Sequence, residues 1–411
     1  MKVEIESHIE GEVLFIIVAT ISLSLSIFLT VERAYAQPQT ITTATTTTIA
    51  TTSTTPSNCI TYDSKERLIT ITCHSVRLTD IANKLKDSTI LKKESPSGSV
   101  AAAVWLLNAG LLIDKGSTFY INSTDNTKWL KIIADGKTAY PIQVFGSLKV
   151  DSVKITSWNL KTNDYALTPD SERHGTKGTK THVGTPRPYI RVQKGATGTT
   201  DITNSEIAYL GYEGGLRGAD VGRTGLRYDG GHGSIIRNND IHHLWLGFYS
   251  NGVGGLVIEN NHVHNNGYYG LDPHTGTHDM IIRNNTVHDN GSIGIICSLN
   301  CYNISIENNK VYNNAKTGIM FSRNMQDSIA RNNSVSNEDK CIFISQSHNN
   351  EIYNNRVSAC DIGFILSAKS SKNTIYNNTI ANSTKHIIVD KAGTGNKLFS
   401  NKATNTDIKK Q

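Results

Sequence analysis

The sequence predicts an all-β fold, a single-stranded right-handed parallel β-helix with a small N-terminal capping segment, and three observations predict it. Paired asparagines begin at Asn238, Asn260, Asn284, Asn308, Asn332, Asn354 and Asn377, at steps of 22, 24, 24, 24, 22 and 23 residues. An inward-type residue stands two positions before each pair, from Ile236, Ile258 and Ile282 to Ile375, and another three positions after its first asparagine, from Ile241, Val263 and Val287 to Ile380. No segment keeps a helical period, and short β-branched runs alternate with Asn and Gly turns. A fixed repeat of this length is the signature of a solenoid. Coils with three short strands, stacked at roughly the 4.8 Å strand spacing, turn each row into a ladder. A leucine-rich repeat has a similar period, but its leucine pattern and helical segment are missing here.

The asparagines suit the corners, because they tolerate the left-handed backbone region and can hydrogen-bond to their counterparts above and below. The residue before each pair alternates in sign, Arg237, Glu259, Arg283, Glu307, Arg331, so neighbouring coils should attract along that outward row.

From the N-terminus, residues 13–31 are an apolar run followed by Ala34-Tyr35-Ala36, which makes residues 1–36 a signal peptide or a membrane anchor. Residues 37–57 are a Thr-rich linker that cannot bury a core. Residues 58–100 are the cap segment, with Cys59 and Cys73 placed to close a loop and one short helix, Asp80 to Lys86, with Thr79 as N-cap. Such a cap covers the open end of the solenoid. The β-helix occupies residues 101–405, less regular up to residue 237, where it carries a Gly- and Arg-rich loop from Gly211 to Gly233; residues 406–411 are a polar tail. Four further cysteines, Cys297, Cys301, Cys341 and Cys360, fall inside the repeats, where free thiols and bridges are both open. A leader and six cysteines predict a secreted or cell-surface protein. The net charge of +6 is spread without basic blocks, which permits an acidic partner, and no nucleic-acid-binding signature is present.

A second row follows each corner, including Gly247-Phe248-Tyr249-Ser250-Asn251, Gly294-Ile295-Ile296-Cys297-Ser298 and Gly318-Ile319-Met320-Phe321-Ser322. Strand alternation turns its second and fourth positions inward and its third and fifth outward. One coil breaks the bland pattern: Tyr269-Gly270-Leu271-Asp272-Pro273-His274 puts Asp272 and His274 on the outward side, with a proline between them that cannot donate to a ladder. Alternation alone points Tyr269 away from His274, unless the Gly270 corner redirects it.

This hexapeptide resembles the Tyr-Gly-x-Asp-Pro-His motif of mannuronan (alginate) carbon-5 epimerases, which are parallel β-helices. The resemblance runs through the coils from about residue 200 to 380. It implies epimerisation of β-D-mannuronate to α-L-guluronate within a polymer, with His274 and Tyr269 as the proton-transfer pair on opposite faces of the sugar and Asp272 orienting or tuning them. The chemistry supports those residue types, because a proton beside a carboxylate leaves only if the developing charge is stabilised. An imidazole serves as base near neutral pH, and a phenol is a neutral donor unless its pKa is brought down.

The carboxylate-neutralising cation is assigned to Lys316 or Arg323, since Leu299 stands where one branch of the family has an Arg and Thr317 where another has a His. Arg217, Arg223 and Arg227 are candidate contacts for neighbouring uronate carboxylates, and Tyr249 completes the candidate substrate contacts. His242, His264 and His288 stack in register like a metal ladder, but Tyr312 and Ser336 continue the row, so ordinary stacked turn residues are expected. His274, His278 and Asp279 lack zinc-site spacing, and Gly214–Asp220 is like a single calcium-binding nonapeptide. No cofactor or metal is required, although calcium is allowed. The expected partner is an anionic polysaccharide and the expected state a monomer. Two other functions fit: a polysaccharide lyase, which abstracts the same proton and then eliminates, and a non-catalytic surface β-helix that binds glycans.

Overall fold

The computed structural model describes residues 58–94, 103–167, 185–213 and 223–404. The segments expected as leader or anchor, linker and polar tail lie outside the described residues, as do Arg217 and Gly214–Asp220. Among the described residues no helix is long and apolar enough to cross a membrane.

Among the described residues the coils contribute their strands to three sheets, of 13, 12 and 13 strands. The predicted rows are real ladders: Val263 pairs with Val287, Val287 with Val311, Val311 with Val335, Val335 with Val357 and Val357 with Ile380, all in parallel register. These side chains are fully buried and belong to one continuous core running from the cap to the last coils. Burial of apolar area on this scale is the main favourable contribution to folding.

The paired asparagines divide their work. The first of each pair, Asn238 (φ 57°), Asn260, Asn284, Asn308, Asn332, Asn354 and Asn377, takes the left-handed conformation that turns the corner. The second is buried and forms a ladder: Asn285 donates its backbone N–H and its Nδ2 to Asn309 Oδ1, both at 3.0 Å, and Asn309 repeats the pattern on Asn333. The same Nδ2 atoms also donate to main-chain carbonyls one coil back, Asn309 to Ile282 O at 2.9 Å. Each buried amide is thereby satisfied, which a polar group inside a core requires. A second ladder at the next corner runs Asn266, Asn290, Asn314 and ends on Glu338. The outward charges pair as expected, Glu259 bridging Arg237 and Arg283, and Glu307 holding Arg331.

At the N-terminus the hairpin Ile60–Asp63 and Leu68–Ile71 is antiparallel, and its second strand joins the first sheet. The helix spans Leu78–Leu85, two residues earlier than expected at its start, and seals the core with Leu78 and Ile81. Arg77, not Thr79, is the N-cap; its N–H donates to Asp80 Oδ2 at 2.8 Å, while the Thr79 hydroxyl donates to Asp125. Asp80, the acidic third residue, decides the position by taking that N–H. The Gly211–Gly233 segment is not all loop, since Gly225–Tyr228 is a strand of the first sheet. Cys59 is bridged to Cys73 and Cys341 to Cys360, whereas Cys297 and Cys301 are free and buried.

Candidate active site

The outer face of the first sheet is lined, one coil after another, by Arg191, Arg227, Tyr249, Asp272 and the aliphatic side chains beyond them. His274 stands two residues along from Asp272, in register with Asn251 below and Ser298 above. Leu271 points into the core, as alternation demands. Pro273 offers no N–H to the next strand, and the pairing there registers at Leu271↔Ile295 and His274↔Ser298, on either side of it.

Gly270 resolves the direction of Tyr269. A Cβ on Gly270 would meet Val287 Cγ1 at 2.7 Å and Gly294 O at 2.6 Å, so its side-chain position faces the interior. Leu271 faces the interior as well. Two successive inward positions break the alternation at the corner, which returns Tyr269 to the same side as Asp272 and His274. Its phenol is half-buried and within the electrostatic reach of both Asp272 and Arg323. Tyr269 Oη donates to Tyr268 Oη at 3.1 Å, and Tyr268 in turn stacks on Trp245.

Arg323 makes the connection that assembles the site. It occupies a left-handed corner position one coil beyond Leu299 and two beyond Thr275. From there it reaches back, donating to Ser298 Oγ and, through Nη2 at 2.9 Å, to His274 Nε2. Leu299 offers nothing in the intervening coil, and Arg323 spans it. An arginine can only donate, so Nε2 carries a lone pair, and the ring proton lies on Nδ1 beside Thr275 Oγ1. Tyr249 packs along the imidazole with ring centroids 5.4 Å apart, and the Arg227 guanidinium lies 4.6 Å over the Tyr249 ring.

Burial, then the Arg323 and Arg227 charges, hold the His274 imidazole down to about 4, so it is neutral at ordinary pH. Burial raises the Asp272 carboxyl well above the usual carboxylate range, with Arg323 opposing only in part. Asp272 is therefore a neutral acid, and its buried Oδ1 has no hydrogen-bond partner among the described residues. Tyr249 is pushed up to about 12 by burial and by Asp272, and Tyr269 is pushed up as well, by burial and by Tyr268. Both phenols are neutral donors. The hydrogen bonds of His274 and Tyr269 run to Thr275, Arg323 and Tyr268, and among the described residues none joins either of them to Asp272.

The other expected contacts divide. Arg227 is committed to Asp229 at 2.7 Å, and Asp229 also holds Arg191 at 2.8 Å. These residues, with Lys194, His232 and Asn251, line a groove of about 500 Å³ that continues the site down the first sheet. Arg223 lies over the Tyr212 ring and makes no contact with the His274 cluster. Lys316 is exposed at the corner, without an ion-pair partner among the described residues, and is not joined to His274. The sequence reading missed Arg191, Asp229 and the Trp245–Tyr268 stack. Arg191 could have been found by aligning Tyr189–Val192 with Gly225–Tyr228, because the two arginines fall in one outward row.

The chain is a right-handed parallel β-helix: a family model described as "right handed beta helix region" matches residues 190–326, and one described as "periplasmic copper-binding protein (NosD)" matches residues 274–411. The resemblance read from the motif has a counterpart among characterised proteins, since the mannuronan C5-epimerase of Pseudomonas fluorescens is 27% identical over 142 residues, 32% of this chain. The match spans 24% of that enzyme, about a quarter of its length. Among solved structures, the periplasmic alginate epimerase AlgG superposes with a TM-score of 0.65 at 20% identity, over 82% of this chain and 85% of that one. At that identity the likeness is one of fold.

Proposed function

We propose that the protein is an extracytoplasmic uronan carbon-5 epimerase that acts within an anionic polysaccharide, with polymannuronate the first substrate to test. The observation that carries the reading is the 2.9 Å contact between Arg323 Nη2 and His274 Nε2, which sets a cation beside an unprotonated imidazole on an outward face. A uronate carboxylate arriving at Arg323 takes over its hydrogen bonds and offsets its charge. His274 is then released and its basicity rises, because one of the charges that held its pKa down is neutralised.

His274 Nε2 takes the carbon-5 proton from one face of the sugar, and the electron pair spreads into the carboxylate. Arg323 and the neutral Asp272 stabilise that charge as donors, in a setting where burial strengthens each hydrogen bond. The Tyr269 phenol delivers a proton to the opposite face of carbon 5. The resulting phenolate and imidazolium return to their starting forms by proton exchange through solvent. The Arg191, Lys194 and Arg227 groove supplies cations for the neighbouring uronates of the chain.

The test is incubation with polymannuronate in deuterated water. Epimerisation predicts deuterium at carbon 5 without shortening of the polymer. Ultraviolet absorbance from unsaturated ends would instead mean β-elimination, and polymer binding without exchange would mean a glycan-binding scaffold.

A further inference from the structure

A second constellation lies on a different sheet. Asp240, the pair His262 and His264, and His288 come from three successive strands of the third sheet, in register Asp240↔His262 and His264↔His288. The residues between them, Val263 and Val287, are in the core, so these side chains face outward. His262 Nε2 and His288 Nε2 stand 2.6 Å apart. Asp240 Oδ1 is 2.9 Å from His264 Nε2 and 3.4 Å from His262 Nδ1.

The other ring nitrogens are already engaged. His288 Nδ1 donates to Asp289 Oδ2 at 2.6 Å and His264 Nδ1 to Asn265 Oδ1 at 2.7 Å. Each of these bonds fixes the ring tautomer and leaves an Nε2 lone pair, the arrangement by which an outer carboxylate or amide orients a metal-binding histidine. The His264 lone pair then faces a carboxylate oxygen, a contact that is repulsive unless a proton or a cation lies between them. One ligand atom from each histidine falls within 4.8 Å of the others, and among the described residues this is the one group that converges so closely. Tetrahedral coordination at 2.0 to 2.1 Å sets ligand atoms ~3.3 Å apart, which small side-chain rotations would reach.

We propose that His262, His264 and His288 bind one divalent d-block cation of the zinc or copper type, with the Asp240 carboxylate beside the site as a neighbouring charge, clamping two consecutive coils of the solenoid. Three imidazoles suit borderline cations and do not suit calcium or magnesium, which take oxygen ligands. The site lies on the third sheet, whereas His274 is on the first, so its role is structural.

The experiment uses the full chain without an affinity tag, stripped with chelator and titrated with Zn²⁺ alone by calorimetry, with bound metal counted by mass spectrometry. One equivalent per chain is expected, with affinity in the micromolar range or tighter and a Tm that rises with Zn²⁺ concentration. The double substitution His262→Ala and His288→Ala should lower affinity at least 100-fold, whereas His242→Ala, a neighbour in the stack, should leave it within a few-fold. Cobalt(II) bound to the unmodified chain gives a second readout, visible absorption of a four-coordinate ion. Absence of stoichiometric Zn²⁺ binding by the unmodified chain would overturn the proposal, as would binding that survives the double substitution unchanged.

Discussion

Arg323 and His274 are 49 residues apart in sequence and 2.9 Å apart in space, joined across two coils by a guanidinium that rests on Ser298. Burial first, and then this pairing, hold the histidine neutral. It also makes the imidazole and the guanidinium depend on each other, so a change at one should be read out at the other.

Replacing Arg323 with Ala should lower kcat/KM on polymannuronate by about 100-fold or more, the usual cost of removing one charge-stabilising donor. Arg323 depresses the His274 pKa, so its removal moves that pKa up from about 4 toward the ordinary 6.5. The acid limb of the pH profile of kcat/KM should shift upward with it, and the His274 ring resonances should titrate higher. A slower variant with an unmoved acid limb would separate Arg323 from the base.

His274→Ala should abolish carbon-5 exchange and keep the fold, because an outward position contributes little to the core. Val287→Asp should do the reverse, through an unpaired charge in a fully buried site, at a cost of several kcal/mol. Melting both variants tests the pair. His274 also carries a sign in pH: its folded pKa lies below the unfolded value, so its contribution is present above pH 6.5 and lost as pH falls toward 4. The His274→Ala variant should therefore lose less stability than the parent across that interval.

The scaffold was legible in the sequence because a solenoid repeats its constraints: every coil must bury the same positions and turn the same corner. Val263, Val287 and Val311 could be aligned by counting, and they pair as counted. The site was legible only in part. Asp272 and His274 show in a single coil, but Arg323 acts from two coils away, and its reach depends on a left-handed corner and on Ser298, which spacing does not reveal. The family resemblance left Lys316 level with Arg323, and Lys316 stands exposed at a different corner. Parity misplaced Tyr269, because it does not register that Gly270 and Leu271 both face inward.

The asparagine ladder makes a stability prediction independent of catalysis. Asn309 takes the N–H and Nδ2 of Asn285 on one oxygen and gives its own Nδ2 to Ile282 O and Asn333. Asn309→Leu strands these buried groups and should cost about 2 to 4 kcal/mol, summing the desolvation of two or three of them. Denaturant unfolding measures it, and a loss below about 1 kcal/mol would mean that the ladder decorates the corner without supporting it.

Glu338 is where the second ladder departs from asparagine, and the departure should be visible in pH. Its Oε1 accepts the Asn314 backbone N–H at 3.2 Å and Asn314 Nδ2 at 2.8 Å, while its Oε2 is buried without a partner. Burial pushes the carboxyl up to about 8, so the folded protein holds a proton that the unfolded chain releases near 4.5. Between these two values the folded state binds more protons than the unfolded one, and stability must fall as pH rises. The contribution is fully present below pH 4.5 and is lost by the time pH passes 8. Glu338→Gln keeps the acceptor, supplies a donor in place of the acid proton and cannot ionise. Its stability should match the parent near pH 4.5, exceed it increasingly through neutral pH, and reach a constant excess on the order of 5 kcal/mol above pH 8, at about 1.4 kcal/mol for each unit between the two values. Parallel melting curves for the two proteins across that range would show instead that Glu338 ionises as freely in the folded chain as in the unfolded one.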